Sequence, residues 1–91
     1  MPCRGIRGAI TVDDNTAEAV RSAAVELLTA IETANGIQPA DIGAVFFSVT
    51  SDLTAAFPAS AARAMGWTET PLLDVRELDV PGDLQRCIRV L

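Results

Sequence analysis

The stretch "IGAVFFSV", Ile42 to Val49, carries one hydroxyl in an otherwise apolar run with β-branched and aromatic side chains. Such a run reads as a strand covered on both faces, because an exposed face would show polar residues in alternation. Helices can cover one face. The other needs something else, and a second copy of the chain would serve.

Upstream, Thr16 to Asn35 places Val20, Ala23, Ala24, Leu27, Leu28, Ile31 and Ala34 at the three-and-four spacing of an amphipathic helix. Asn15 with Glu18 three positions on is expected to cap its start, and Gly36 its end. "QPAD", Gln38 to Asp41, is a turn into the apolar strand. Downstream, "TSDLTAAFP" is a loop, and Pro58 can open a short helix, "PASAARAMG", that closes at Gly66. "PLLDVRELDV" and "CIRVL" read as two more strands around a turn at Pro81 and Gly82. "CRGIRGAITV", Cys3 to Val12, reads as the first strand. With no repeat, linker or low-complexity tract, residues 1–91 form a single domain.

Composition narrows the function. Apolar residues make up 49% of the chain at a mean hydropathy of +0.30, although it has only three Phe and one Trp. A domain this small buries about 60 to 70 per cent of its unfolded surface, so the aliphatic excess points to oligomerisation. The net charge of −5, without runs of basic residues, argues against a nucleic-acid partner. Apolar runs fall short of the ~20 residues that span a bilayer, and the N-terminus lacks the apolar core of a signal peptide. The expected setting is the cytoplasm, with Cys3 and Cys87 as free thiols packed as small core residues.

The chain has no His, Tyr or Lys, and all seven basic residues are Arg. That alphabet excludes Ser-His and Cys-His nucleophile pairs, His-ligated metals and Schiff-base lysines. It leaves carboxylates, hydroxyls, thiols, backbone amides and permanently charged guanidinium groups.

Several charged residues stand on strands. Arg7 shares a strand face with Gly5, Ala9 and Thr11, a floor low enough for a ligand to approach. Equally, Arg7 can be an edge arginine paired with a carboxylate such as Glu77. Arg89, between Ile88 and Val90, either faces solvent or lines a polar cavity, since burying it unpaired is costly. Asp74 and Glu77, three apart, face opposite ways in a regular strand, so Asp74 meets a ligand at Glu77 only through a bulge or its backbone. Arg63 on the short helix reads on its own as a solvated charge. Asp13 and Asp14 sit at the positive end of the helix that follows, which explains them without a metal. The whole suits a small anionic ligand at a subunit junction.

Three blocks then stand together: "RGIRGAITV" (Arg4 to Val12), "TSDLTAAFPASAAR" (Thr50 to Arg63) and "PLLDVRELDVPGDLQRCIRVL" (Pro71 to Leu91). In order and spacing they resemble the monofunctional AroH-class chorismate mutases, across essentially the whole chain. The resemblance implies an α+β fold: a mixed β-sheet with one long amphipathic helix and one short helix, in the chorismate-mutase/YjgF-like trimeric barrel with active sites between subunits. It implies the Claisen rearrangement of chorismate to prephenate, on the way to phenylalanine and tyrosine, with no cofactor or metal.

By the same resemblance Arg89 is the cation at the breaking ether bond, Arg7 grips a substrate carboxylate, and Glu77 accepts from the ring hydroxyl while orienting arginine. Phe57 and Arg63 match cleft-lining positions given by the neighbouring subunit. Asp74 stands where members have a small polar residue or Cys, and is carried over as a backbone contact. Ser60 stands where some have lysine. The family continues past "IRVL" into a strand with an active-site tyrosine and a tail, which residues 1–91 lack. The other reading is a non-catalytic trimeric module, or a small-molecule binder of the YjgF/RidA-like imine-deaminase type.

Overall fold

The long helix forms where its apolar spacing puts it. In the computed structural model, which describes residues 3–91, α1 runs Ala17–Asn35 and buries Val20, Ala24, Leu27 and Leu28. Gly36 ends it in the left-handed region at φ 61°, donating its N–H to the Glu32 carbonyl, a conformation that a residue without Cβ adopts freely.

The start differs from the sequence expectation. Thr16, not Asn15, is the N-cap, its Oγ1 accepting from the Ala19 N–H at 3.1 Å. Asn15 is engaged elsewhere: its Oδ1 accepts from the Thr54 and Ala55 N–H groups at 2.9 and 3.0 Å, and its Nδ2 donates to Thr54 Oγ1 at 2.9 Å. The side chain that local sequence offered to the helix ties down a loop some forty residues away.

Four strands make one sheet: β1 Gly8–Thr11, β2 Val45–Val49, β3 Leu72–Arg76 and β4 Cys87–Val90, in the order β1-β4-β2-β3. The β2–β3 pair is parallel and the other two are antiparallel, so the sheet is mixed, as expected. The short helix α2, Pro58–Ala64, connects β2 to β3 and has Pro58 in its first turn. A 3₁₀ turn, Pro39–Asp41, occupies "QPAD".

The first strand is shorter than the 3–12 expected. Gly8 lies opposite Val90, so residues before Gly8 run past the end of β4 with no ladder partner on their one paired side.

Both helices cover one face of the sheet. Phe47, Ile88, Val90, Ala61, Ala62 and Trp67 join the buried side of α1 in one core. The opposite face is open within the chain: Phe46, Leu73 and Val75 are 47%, 51% and 42% exposed. Burial along β2 therefore alternates, and only its helix side is covered by this chain. Of the two cysteines, Cys87 is buried as expected, whereas Cys3 is exposed, because it lies in the unpaired segment before β1. No described helix is long and apolar enough to cross a membrane.

Candidate active site

The open face carries the charged side chains because strand parity puts them there. Arg89 alternates with the inward Ile88 and Val90, and the ladder sets it between Ala9 of β1 and Ser48 of β2. Glu77 follows β3, where its N–H donates to the Val49 carbonyl at 2.9 Å and prolongs the strand by one bond. Leu73, Val75 and Glu77 thus share the open face.

Those placements bring three side chains together. Arg89 Nε donates to Glu77 Oε2 at 2.7 Å, and Ser48 Oγ donates to the same oxygen at 3.2 Å. Asp83 Oδ2 stands 3.9 Å from Arg89 Nη2. Arg7, just before β1, lines the same hollow as Arg89, a volume of ≈ 590 Å³ floored by Ala9, Phe46, Ser48 and Val75. Among the described residues Arg7 forms no ion pair, so the carboxylate that could have held it is taken by Arg89.

The start of β4 is fixed by a separate cluster. Arg86 adopts φ 46°, and the Asp52 carboxylate accepts its backbone N–H with both oxygens at 3.0 Å. Arg86 Nε donates to the Val12 carbonyl at 2.9 Å, and Thr50 Oγ1 accepts the Cys87 N–H at 2.9 Å. These bonds set the register that aims Arg89. The Thr50 hydroxyl and the Arg86 amide hold the Asp52 carboxyl below its ordinary value. Burial pushes the Cys87 thiol up, so it stays protonated and adds no negative charge beside Arg89. The hydrogen bond that Arg89 donates to Glu77 raises its already high pKa.

The other three sequence candidates lie elsewhere within the chain. The Asp74 side chain is on the helix face, paired in register with buried Phe47, and its Oδ1 accepts from the Ala59 N–H at 3.2 Å. Burial raises its carboxyl, with the Ala59 N–H bond and then the Arg63 charge opposing the shift. The Asp74 side chain is thus turned away from the face that carries Glu77, and β3 has no bulge in its pairing with β2. Phe57, 69% exposed, is the N-cap of α2 and Arg63, also exposed, lies in its last turn; neither lines the hollow. Ser48 and Asp83 were not singled out in the sequence. Ser48 is the lone hydroxyl of "IGAVFFSV", and that isolation was the available signal.

A second hollow, ≈ 460 Å³, lies between the segment before β1 and residues such as Ile31, Ile42 and Trp67. Its wall is mostly aliphatic, with Arg4 and Asp41 as its charged members, and among the described residues these two form no ion pair. The Arg89 hollow is the better candidate. It offers two guanidinium groups, one fixed by a carboxylate, over a floor of small and apolar side chains, which suits a small multiply charged carboxylate with a hydroxyl.

Comparison with known proteins gives a consistent set of matches. The family model "Chorismate mutase type I" matches residues 3–91. "Chorismate mutase AroH" of Thermus thermophilus is 57% identical over 89 residues, covering 97% of this chain and 73% of that protein. "Chorismate mutase AroH" of Bacillus subtilis (strain 168) is 42% identical over 92 residues, covering 100% of this chain and 72% of that protein. Among solved structures, a chorismate mutase from Clostridium thermocellum superposes with a TM-score of 0.92 at 53% identity, over 93% of this chain and 76% of that one.

Proposed function

The chain belongs to the chorismate mutase type I family, and from that premise we propose how its residues carry out the reaction. The activity is an isomerisation, chorismate to prephenate, in aromatic amino acid biosynthesis. Family membership sets aside the non-catalytic and imine-deaminase-like readings.

In the rearrangement the ether C–O bond breaks as a C–C bond forms within one molecule. No proton or electron is exchanged with the protein. What the protein must supply is a compact substrate conformer and positive charge at the ether oxygen, which gains electron density as its bond breaks. Arg89 supplies that charge. Its Nε is committed to Glu77 at 2.7 Å, which leaves the terminal amino groups for the ligand. Arg7, across the hollow, grips a substrate carboxylate. Glu77, with a second oxygen free of Arg89, accepts from the ring hydroxyl. Arginine suits both cationic roles, since it stays charged at any working pH and binds carboxylates through a planar fork.

The assembly is a homotrimer in the cytoplasm, where free thiols persist. The exposed Phe46, Leu73 and Val75 supply the apolar surface for such packing. A neighbouring subunit then brings Phe57 and Arg63 to the rim of the Arg89 hollow, and the Asp74 backbone completes the hydroxyl side.

The observation that carries this reading is the Arg89–Glu77 pair at the edge of the hollow that Arg7 also lines. The test is direct. Purified protein incubated with chorismate should deplete its ultraviolet absorbance and yield prephenate, and sedimentation of the same sample should give three times the chain mass. A trimer without turnover would overturn the assignment of these residues.

A further inference from the structure

We infer that Asp83 sets how tightly the cleft holds its dianionic substrate, by standing as a second carboxylate on Arg89. The inference rests on the chorismate reading of the cleft and deepens it.

The carboxylate is held by its own turn. The Asp83 N–H donates to the Val80 carbonyl at 3.1 Å across Pro81 and Gly82, and Gly82 has φ 86°. Pro followed by a positive-φ Gly is the pattern of a type II turn. Asp83 Oδ1 then accepts from the Leu84 N–H at 2.8 Å, which leaves Oδ2 facing Arg89 Nη2 at 3.9 Å. The side chain is 44% exposed at the rim of the cleft.

Two effects of this carboxylate compete. It could steady the guanidinium, or it could repel an arriving anion. Glu77 already fixes Arg89 through a 2.7 Å bond to Nε, so a contact at 3.9 Å adds little orientation. Its charge acts regardless of hydrogen-bond geometry and lies within a Debye length of anything bound to Arg89. Repulsion therefore prevails. Chorismate keeps both carboxylates through the rearrangement, so the penalty on those two full charges falls equally on bound substrate and transition state, and it outweighs the penalty on the partial charge that the ether oxygen gains beside Arg89. Such a uniform term appears in KM and not in kcat. Asp83 thus acts by its charge at the cleft rim, weakening ground-state binding and easing release of the equally charged product.

The test is Asp83→Asn, which keeps the acceptor for Leu84 N–H and removes the charge. At low ionic strength KM for chorismate should fall about two- to five-fold, the range of a partly exposed ion pair. The kcat should hold or rise by a smaller factor than KM falls, and the KM gap should close at about 0.5 M salt. Asp83→Glu, which restores the charge, should return KM to its original value. Equilibrium binding of prephenate by calorimetry should show the same tightening in Asp83→Asn, independently of turnover. An unchanged or raised dissociation constant, a gap insensitive to salt, or no binding by either protein overturns the inference. Absence of turnover in the unsubstituted protein alone would count against the proposed function, and the prephenate comparison would still decide the role of Asp83.

Discussion

Arg89 and Glu77 meet across an intervening strand: β2 runs between β4 and β3, and Arg89 Nε reaches over Ser48 to Glu77 Oε2 at 2.7 Å. Three strands must therefore hold register for the pair to form. Arg89→Lys keeps the charge but loses the planar fork, which can bond Glu77 through Nε and still present its terminal amino groups to the hollow. Its kcat should fall at least ~100-fold, the scale of one preorganised transition-state donor. Glu77→Ala should cost a similar factor in kcat/KM. Ser48→Ala removes only the 3.2 Å supporting bond and should cost about 2- to 10-fold. Steady-state kinetics on chorismate check the order, and a Ser48 loss as large as that of Glu77 would contradict it.

Two aspartates should shape stability against pH in opposite directions. Asp74 titrates above its ordinary 3.8 in the folded chain, through burial. Its contribution is therefore fully present below the unfolded value and is lost as pH rises through the raised one. Asp52 titrates below 3.8 through its bonds to the Thr50 hydroxyl and the Arg86 amide. Its contribution is present above the unfolded value and is lost as pH falls through the lowered one. Asp74→Asn, which still accepts from Ala59, should raise Tm at pH 7. Asp52→Asn should lower it. In thermal melts followed by circular dichroism, the Asp74 gap should close as pH falls below the ordinary 3.8, and the Asp52 gap only further down, through its lowered value.

These two residues also mark how far the sequence could be read. Strand parity alone set Asp74 and Glu77 on opposite faces, and the sheet has them so. The spacing of Val20, Ala24, Leu27 and Leu28 gave α1, because one periodic face must meet the core whatever else packs there. The N-cap was misplaced by one residue, since the partners of Asn15 at Thr54 and Ala55 are far along the chain and leave no local trace. Arg7 and Arg89 stood out as guanidinium groups among glycines and aliphatics. That Glu77 serves Arg89 and not Arg7 depends on the order β4-β2-β3, which no local pattern encodes. Phe57 and Arg63 came from family resemblance, and in the single chain they do not line the hollow.

The glycines of "RGIRG" should differ in tolerance. A Cβ on Gly8 would sit 3.0 Å from Leu27 Cδ1 and 3.2 Å from Ile31 Cδ1, because α1 lies directly on β1 there. Gly8→Ala should cost about 1 kcal/mol and Gly8→Val up to about 3 kcal/mol, as overpacking does. Both should also lower kcat/KM, since Arg7 is the next residue. A Cβ on Gly5 would meet only Leu91 Cδ1, at 3.9 Å, so Gly5→Ala should leave Tm within about 2 °C. Denaturant titrations of the three variants check the contrast, and equal losses at Gly5 and Gly8 would contradict it.

A shared site can be tested by mixing two inactive proteins. Arg89 lies with Glu77 and Arg7 in one chain, whereas Arg63 on α2 does not line that hollow. If Arg63 serves the neighbouring subunit, Arg63→Ala and Arg89→Ala chains, each impaired alone, hold complementary halves of a site. After unfolding and random reassembly of an equal mixture, about a quarter of the junctions pair an intact Arg89 with an intact neighbouring Arg63, by the geometry of a closed head-to-tail ring. The mixture should then regain about a quarter of the native rate, measured by chorismate depletion, while a mixture never unfolded stays inactive. If Arg63 acted on the hollow of its own chain, no combination could restore an intact site, and the refolded mixture would stay as inactive as its parents.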